Sequence, residues 1–523
     1  MSSASPTAPN PVASRPPATQ PGSAWAAAAN GLVAGLLTVG LSTLTAAVLG
    51  WLGVAGGQAA PVAAVSSAFI DRTPPWLKDL AIAAFGTNDK RALLVGVVFV
   101  LAVLCAVIGV LARSRLTAAL VAFGVLGAVG VAAVLSRPDA SLADAVPTVL
   151  GTAAGLWFLS RGTRPAHAMG ANNPARRLLL GAAVGGSAAY VGWLLGGDSA
   201  AATASREAIA LEPARATKIP VPAGADLKVP GATPFLVPND DFYRIDTAII
   251  VPRLNADEWR LRVTGMVERE VGIDWNALQA KPMREALVTL TCVSNEVGGD
   301  LVGNAVWTGW PVRDLLAQAG PLPGADMVLQ TSADGWTCGT PLPAMTDGRN
   351  ALLAVRMNGE PLPFEHGFPV RLVVPGLYGY VSACKWVTEL KVTTFAEDMG
   401  YWTPRGWSAE GPIKTSSRID VPRSGATVSA GRVAVAGVAW AQHRGIAEVE
   451  VQIDDGPWTQ ARLATDASID AWRQWVLDWD ATSGSHTLRV RARDLTGTLQ
   501  SADSRPPAPN GAEGLHTVTV RVE

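Results

Sequence analysis

The part of the chain most informative about its fold is residues 366–376, which read HGFPVRLVVPG. Arg371 stands in the middle, between Pro369 and an apolar Leu-Val-Val run, and the segment continues to Lys385-Trp386. An arginine on the surface commonly forms an exposed ion pair, but one flanked by apolar strand residues is expected to be buried and paired. Its planar, permanently charged guanidinium suits a phosphate, and a lysine adds a point charge.

A second segment surrounds a single cysteine. Residues 290–296 read LTCVSNE, and the glycine-rich sequence GGDLVGNAVWTG follows at 298–309. Taken alone, Cys292 would more often be a buried structural cysteine than a ligand. Glycines, however, let the backbone approach a bulky group without a Cβ in the way. The other three cysteines form no CxxC or Cys/His zinc spacing, so only Cys292 has neighbours that indicate chemistry.

Together with residues 239–244 (NDDFYR) and 357–363 (MNGEPLP), these segments resemble the sulfite-oxidase family of molybdopterin-dependent oxidoreductases, in a bacterial membrane-anchored form. The resemblance covers residues 238–523. It implies a molybdenum–molybdopterin cofactor whose metal is bound by the thiolate of Cys292, a soft anionic donor that loses its proton on coordination. It assigns the pterin and its phosphate to one set of residues: Asp240, Tyr243, Arg244, Cys292, His366, Arg371, Ser382 and Lys385.

Two positions depart from the family's pattern. Where sulfite oxidases carry an arginine a few residues after the metal cysteine, this chain has Glu296, and where they carry an active-site tyrosine it has Trp336. A carboxylate would repel sulfite, and an indole cannot act as a phenol. We therefore expect Glu296 and Trp336 to shape the substrate pocket beside Cys292. The substrate, sulfoxide-like or sulfite-like, and the direction of the reaction stay open.

The N-terminal part differs in character from the rest. Residues 1–22, rich in Pro, Ser, Ala and Thr, are predicted to be a disordered tail. A helix needs about 20 apolar residues to cross a bilayer. Five stretches approach that length: 26–51, 92–111, 116–135, 142–159 and 178–195. The fourth is short, so a re-entrant or tilted segment is the alternative to a span there.

The positive-inside rule sets the orientation of these spans. Arg113 and Arg115 lie between the second and third, and four more arginines lie between the fourth and fifth. Both loops are therefore predicted to be cytoplasmic, which leaves the N-terminus inside and the catalytic domain outside a bacterial plasma membrane. The pair Arg176-Arg177 either adds to this charge or is a twin-arginine export signal, and the sequence leaves both interpretations open.

The helices offer little for electron transfer. A b-type haem needs facing axial histidines, and His167, in a loop, is the only histidine before residue 300. The sequence contains no haem or iron–sulfur motif, so the bundle is predicted to anchor the protein or dock a partner. A separate electron-transfer partner is then required.

Composition and periodicity predict a multi-domain chain, and the resemblance implies that its α+β part binds molybdopterin. Its parts are a disordered tail (1–22), a transmembrane α-helical bundle of about five helices (23–197), a linker (198–237), an α+β molybdopterin-binding catalytic domain (238–410) and an immunoglobulin-like β-sandwich (411–523). A helix is predicted at 310–319 with Pro311 in its first turn. Short alternating strands, at 434–439, 447–453, 472–479 and 487–493, indicate the sandwich, whose tryptophans are expected in its core or at an interface. The resemblance also implies a homodimer through this domain.

These features predict a membrane-anchored, extracytoplasmic molybdenum oxidoreductase that transfers an oxygen atom to or from a small substrate. The alternative is a non-catalytic, membrane-anchored surface module that binds a partner and no metal. That alternative explains the spans and the sandwich, but not the segments around Cys292 and Arg371. A net charge of −1 provides no electrostatic case for nucleic acid.

Overall fold

The computed structural model of this protein describes residues 24–52, 54, 60–73, 89–137, 140–162, 174–195, 198–211, 216–248 and 250–523. The predicted disordered tail, 1–22, lies outside these residues. Two compact units make up the chain, residues 1–72 with 81–196 and residues 73–80 with 197–523.

The first unit is helical throughout the residues that the structure describes. Its helices are α1 (Ala24–Trp51), α2 (Pro61–Arg72), α3 (Asp89–Leu111), α4 (Leu116–Leu135), α5 (Leu142–Gly162) and α6 (Pro174–Leu195). All except α2 are long and apolar enough to cross a membrane by length and composition. The short fourth stretch of the sequence is a continuous helix of 21 residues, α5, with Pro147 inside it.

Small residues and a few polar contacts bring the helices of this unit together. A Cβ at Gly31 of α1 would overlap the backbone carbonyl of Cys105 in α3, so only glycine allows that approach. Asn30 of α1 accepts a hydrogen bond from Arg177 of α6 (2.8 Å) and donates one to the carbonyl of Leu159 in α5 (3.4 Å). Both features are typical of helix packing in apolar surroundings.

The second unit begins with an α+β part built on two sheets. The first sheet has the order β1-β4-β5-β8-β10, with β9 beside β8. Its strands are β1 (Ala216–Thr217), β4 (Met283–Thr291), β5 (Val302–Pro311), β8 (Leu352–Met357), β9 (Glu360–Pro361) and β10 (Arg371–Val373). The second sheet has the order β3-β2-β11-β6-β7. Its strands are β2 (Arg260–Gly265), β3 (Val271–Asp274), β6 (Met327–Ser332), β7 (Thr337–Pro341) and β11 (Val387–Thr393).

Short helices connect these strands. They are α7 (Asp198–Leu211), α8 (Trp275–Gln279), α9 (Val312–Ala319) and α10 (Leu342–Thr346), with 3-10 turns at Asn239–Asp241, Ala256–Glu258, Phe364–His366, Gly379–Val381 and Thr403–Arg405. The helix predicted at 310–319 begins at Val312. Pro311 instead ends β5 and caps α9, because the ladder between β5 and β8 runs as far as the pair Pro311–Leu352.

Much of the segment predicted as a linker packs against the α+β part. Arg206 of α7 donates to the backbone carbonyls of Leu362 (2.9 Å) and Pro361 (3.0 Å). Farther on, Phe235 is buried in the main core and β1 pairs with β4. The alanine- and proline-rich segment 198–237 shows no helix or strand periodicity, and for that reason its sequence indicated a linker. In the structure, Arg206, Phe235 and strand β1 hold this segment against the α+β part.

The C-terminal part is a sandwich of two sheets. One has the order β12-β14-β18-β17 and the other β13-β20-β19-β15-β16. The strands are β12 (Ser416–Val421), β13 (Thr427–Val428), β14 (Gly431–Trp440), β15 (Ile446–Ile453), β16 (Trp458–Gln460), β17 (Arg462–Leu463), β18 (Arg473–Ala481), β19 (Gly484–Asp494) and β20 (Thr517–Val522). Alternating apolar residues of both sheets fill its core, in which Trp475 and Trp479 are buried.

Buried hydrogen bonds join the sandwich to strand β4 of the α+β part. The backbone N–H of Trp472 donates to Oγ1 of Thr289 (2.7 Å), and the Trp472 indole donates to the carbonyl of Phe235 (2.9 Å). Gln442 donates to the carbonyl of Thr289 (3.0 Å) and to the hydroxyl of Thr291 (2.9 Å). The sandwich therefore fixes the strand that ends immediately before Cys292.

Candidate active site

A cavity lies between the two sheets of the α+β part and the segment that follows β11. It encloses about 910 Å³ of empty space including its open side. Six of the residues predicted from the sequence line it: Tyr243, Cys292, Trp336, His366, Arg371 and Lys385. The structure thus brings together side chains that are up to 142 positions apart (385 − 243) in the sequence.

Cys292 follows directly after β4 and is buried, with 8% of its surface exposed. Its backbone N–H donates to Leu301 (2.9 Å), and its carbonyl accepts from Asn295 (3.1 Å). The side chain of Asn295 closes the same turn by accepting from the N–H of Leu301 (2.8 Å). Burial raises the pKa of the thiol, and Cys292 forms no disulfide. A buried, free thiol on a fixed turn can bind a soft metal if coordination removes its proton.

Arg371 is the first residue of β10, and only 3% of its surface is exposed. Its guanidinium donates to the carbonyls of His366 (3.0 Å), Leu372 (3.4 Å) and Ala383 (3.4 Å). It also lies over the ring of Trp307, 5.0 Å from the centroid. Burial lowers the pKa of Arg371 to about 10. Within the described chain no carboxylate forms an ion pair with it, so it is a buried cation without an anionic partner.

Lys385 is the second buried cation of the cavity. Its Nζ pairs with Asp246 (2.9 Å) and donates to the carbonyl of Glu365 (2.8 Å). Burial lowers the pKa of Lys385 to about 8, against the opposing effect of Asp246. Asp246 also accepts from Arg244 (3.0 Å), so one carboxylate neutralises two cations in part.

His366 and Tyr243 complete the buried wall beside these cations. Burial, together with the charges of Lys385 and Arg371, lowers the pKa of His366 to about 3, so the imidazole is neutral at pH 7. Its Nε2 lies 3.3 Å from the carbonyl of Asn239. Burial also raises the pKa of Tyr243, which therefore stays a neutral phenol. Both side chains can hydrogen-bond a polar ring without carrying charge.

Four predicted residues do not line the cavity. Asp240 is exposed on its 3-10 turn, and Arg244 points its guanidinium at Asp246 from the outside. Ser382 is fully buried but donates to the carbonyls of Leu377 (3.1 Å) and Tyr378 (2.9 Å), which is a structural role. The prediction that Glu296 shapes the pocket is not supported by its position, because the chain turns at residues 292–299 and leaves Glu296 exposed.

Trp336 lines the cavity, as expected, and four unpredicted residues join it. Asp334 accepts from the backbone N–H of Trp336 (3.1 Å), and burial raises the pKa of this carboxyl. Trp402 and Trp407 stand 6.4 Å apart, edge to face, in the segment after β11. The fourth unpredicted residue that lines the cavity is Asp246. These residues belong to irregular segments without periodicity, so the sequence carried no signal for them beyond a local clustering of tryptophans.

Two parts of the second unit match known families. Residues 416–490 match the bacterial Ig domain. Residues 248–402, which contain most of the cavity lining, match the oxidoreductase molybdopterin binding domain. The chain carries a molybdopterin-binding domain of the sulfite-oxidase type. The predicted sulfite-oxidase-type family and the multi-domain fold class are thereby confirmed.

Human mitochondrial sulfite oxidase is 30% identical to this chain over 308 residues, which are 49% of this chain and 55% of that protein. Chicken sulfite oxidase is 29% identical over 323 residues, 52% of this chain and 69% of that protein. The crystal structure of sulfane dehydrogenase SoxCD from Paracoccus pantotrophus covers 56% of this chain and 84% of that chain, at 25% identity and a TM-score of 0.48. The chain spans about half the length (55%) of the first of these relatives.

The side chains of the molybdopterin-binding domain fit the cofactor that its family binds. The buried cation Arg371 lacks an anionic partner in the described chain, which is costly unless an anion such as a phosphate approaches it. The free thiol of Cys292 lies in the same cavity and could bind a metal. Neutral His366 and Tyr243 provide hydrogen bonds for an uncharged ring. The donor set therefore suits one dithiolene-bound metal with a phosphate tail.

Proposed function

We propose that this protein is a membrane-anchored, extracytoplasmic molybdenum oxidoreductase that exchanges an oxygen atom between a small substrate and water. The observation that carries the proposal is the presence of a buried free thiol and a buried unpaired cation in one cavity, at Cys292 and Arg371. A non-catalytic surface module would have no use for the buried cation, which costs stability without an anionic partner, and would not need the thiol in the same cavity.

Different residues of the cavity would bind different parts of the cofactor. Cys292 would bind the metal as a thiolate, and Arg371 with Lys385 would bind the phosphate. His366 and Tyr243 would orient the pterin through neutral hydrogen bonds. When bound, the molybdenum cofactor supplies two-electron oxygen-atom chemistry. The chain's own contribution is to fix that group, to exclude water by packing aromatic side chains around it and to offer the substrate one open side.

The membrane anchor and its orientation are part of the proposal. Five helices have the length and composition of spans, and the arginines between them support a cytoplasmic N-terminus. A reporter enzyme fused after residue 523 should then be active only where the reporter works outside the cytoplasm. Substituting Arg176 and Arg177 by lysine together would separate the two interpretations of that pair, because only an export signal requires arginine specifically.

The decisive experiment is metal analysis of the purified full-length protein, made in a host that synthesises the cofactor. We expect close to one molybdenum per chain in the wild type and a large loss in Cys292→Ala. Cys105→Ala is the matched control, since that cysteine lies in α3 outside the second unit, and it should retain the metal. A wild-type protein without molybdenum would contradict the proposal and leave the surface binding module in its place.

A redox partner must exchange electrons with the site, because no haem or iron–sulfur motif is evident in the sequence. We propose a separate carrier, in solution or in the membrane, and a homodimer formed through the sandwich. Sedimentation of the detergent-solubilised protein tests the dimer. A monomer at micromolar concentration would contradict that part of the proposal.

A further inference from the structure

The segment that begins at Cys292 is a closed loop. The backbone N–H of Cys292 donates to the carbonyl of Leu301 (2.9 Å), and the N–H of Gly299 donates to the carbonyl of Glu296 (2.9 Å). Residues 292–301, here called the Cys292 loop, belong to no helix or strand. Because hydrogen bonds join the two ends of the loop, a displacement at Gly299 can be transmitted to Cys292.

One side chain of the sandwich holds the far side of the Cys292 loop. Arg418, the third residue of β12, is buried, with 8% of its surface exposed. Its Nη1 donates to the carbonyl of Gly299 (2.7 Å). Its other nitrogens donate to Asp420 (2.7 Å) and to the hydroxyl of Thr233 (2.9 Å). A planar guanidinium held at three points has little freedom, so the sandwich sets the position of the donor that Gly299 meets.

A second residue of the sandwich packs against the same side of the loop. His516 directly precedes β20, and its Nδ1 accepts a hydrogen bond from the backbone N–H of Ile419 (3.0 Å), which fixes the ring. A Cβ added to Gly298 would overlap Cδ2 of this imidazole, and Gly298 has a φ of 78°. Only glycine therefore fits between the loop and the ring.

A structural role within the sandwich is the simpler explanation of Arg418, because a buried arginine needs an anionic partner and Asp420 provides one. That ion pair, however, uses only Nε of the guanidinium. The hydrogen bond from Nη1 to Gly299 is equally short, 2.7 Å, and it leads out of the sandwich to the loop that carries Cys292. Groups that orient a metal ligand from outside the coordination sphere commonly change metal affinity when they are removed.

We infer that Arg418 is a positioning residue for the metal site, because it holds the carbonyl of Gly299 and thereby fixes the direction in which the thiol of Cys292 points. The inference rests on the proposed function, since it requires that Cys292 bind the metal. It gives the sandwich a role in metal binding besides the dimer contact proposed for it. His516 supports the same side of the loop through Gly298.

The test compares Arg418→Met with Arg444→Met in the full-length, molybdenum-containing protein in detergent. Each substitution keeps an unbranched side chain and removes a guanidinium that pairs with a carboxylate of the sandwich, Asp420 or Asp494. In the part of the chain that the structure describes, Arg444 forms no hydrogen bond with the Cys292 loop. Both variants should therefore lose thermal stability, but only Arg418→Met should disturb the metal site.

Two measurements report on the metal site without any substrate. One is the rate of molybdenum loss during dialysis, taken well below the unfolding temperatures of both variants. The other is the electron paramagnetic resonance spectrum of the partly reduced protein, which depends on the orientation of the thiolate ligand. We expect Arg418→Met to lose molybdenum about tenfold faster than the wild type and to give a changed spectrum. Arg444→Met should match the wild type in both measurements.

His516→Ala takes the place of Arg418→Met if that variant does not fold, because it removes the ring beside Gly298 and leaves the ion pair of Arg418 intact. It too should give a changed spectrum. An unchanged spectrum in whichever of these two variants folds, or an equal change in Arg444→Met, would overturn the inference and leave the proposed function intact. A wild type without molybdenum would remove the proposed function itself, and the inference with it.

Discussion

Gln442 offers a direct test of how the sandwich supports the strand that carries Cys292. Its side chain is fully buried, and its Nε2 donates to the carbonyl of Thr289 (3.0 Å) and the hydroxyl of Thr291 (2.9 Å). Gln442→Leu keeps a similar volume but removes both donors. The strand then loses two hydrogen bonds that connect it to the sandwich.

The magnitude follows from the contacts. Each neutral hydrogen bond contributes about 0.5–1.5 kcal/mol, so losing two would cost about 1–3 kcal/mol. Oε1 of Gln442, however, is buried without a partner in the described chain. Leucine has no buried acceptor atom that could stay unpaired, so this destabilising contribution disappears. We therefore expect the free energy of unfolding to fall by about 1–2 kcal/mol. For a unit of this size the unfolding temperature should fall by roughly 2–4 °C per kcal/mol or slightly less.

Thermal unfolding of the full-length protein in detergent, followed by tryptophan fluorescence, measures the effect. Gln452→Leu is the matched control. Its Nε2 donates to Gly456 (2.9 Å) and its Oε1 accepts from Arg489 (3.3 Å) in a half-buried hairpin, where water can replace both bonds, so its unfolding temperature should fall less than that of Gln442→Leu. Molybdenum retention after dialysis is the second measurement, and we expect it to fall only in Gln442→Leu. If Gln442→Leu unfolds at the wild-type temperature and keeps its metal, the sandwich does not support the strand in this way.

Three further predictions concern other parts of the chain. Arg371→Lys should lower molybdenum content severalfold in metal analysis, because an ammonium cannot reproduce the fork of donors of a buried guanidinium; equal content would contradict its role. Burial would raise the pKa of Asp494, but the hydrogen bonds it accepts from neighbouring threonines and Arg444 outweigh this and lower the pKa to about 2. Its stabilising effect is present above the unfolded pKa of about 4 and is lost as the pH falls from there toward 2. Urea midpoints of Asp494→Asn should therefore be lower at pH 7 and depend less on pH in that window, and a parallel pH profile would refute this. Gly31→Ala should lower the unfolding temperature of the helical unit because a Cβ there overlaps the neighbouring helix, whereas Gly50→Ala meets open space and should have little effect.

Local sequence patterns predicted the elements well where periodicity was strong. The alternating stretch predicted at 447–453 is strand Ile446–Ile453, and the one at 487–493 lies within Gly484–Asp494. Helix boundaries were less accurate, because the ladder to β8 extends β5 to Pro311. A tertiary pairing outweighed the local preference of proline for the first turn of a helix.

For the site, the sequence was informative where chemistry is encoded by residue type in a fixed local context. Arg371 between apolar strand residues is buried, and Cys292 lies in the same cavity. Glu296 is close to Cys292 along the chain, but the turn after Cys292 leaves that carboxylate exposed and outside the cavity lining. Asp246, Asp334, Trp402 and Trp407 had no motif that marked them.

The sequence by itself determined that this protein has an apolar helical part and a sandwich, because composition and periodicity follow directly from burial. The molybdopterin-type domain was identified by the resemblance of the segments around Cys292 and Arg371 to a known family. It also determined the chemical types of the residues that could hold a metal and a phosphate. Only the tertiary structure decided which of them meet in one cavity, and that among the described residues Arg371 has no anionic partner and the indole N–H of Trp336 has no acceptor. Such facts depend on distances between segments far apart in the sequence, and local patterns carry no information about those distances.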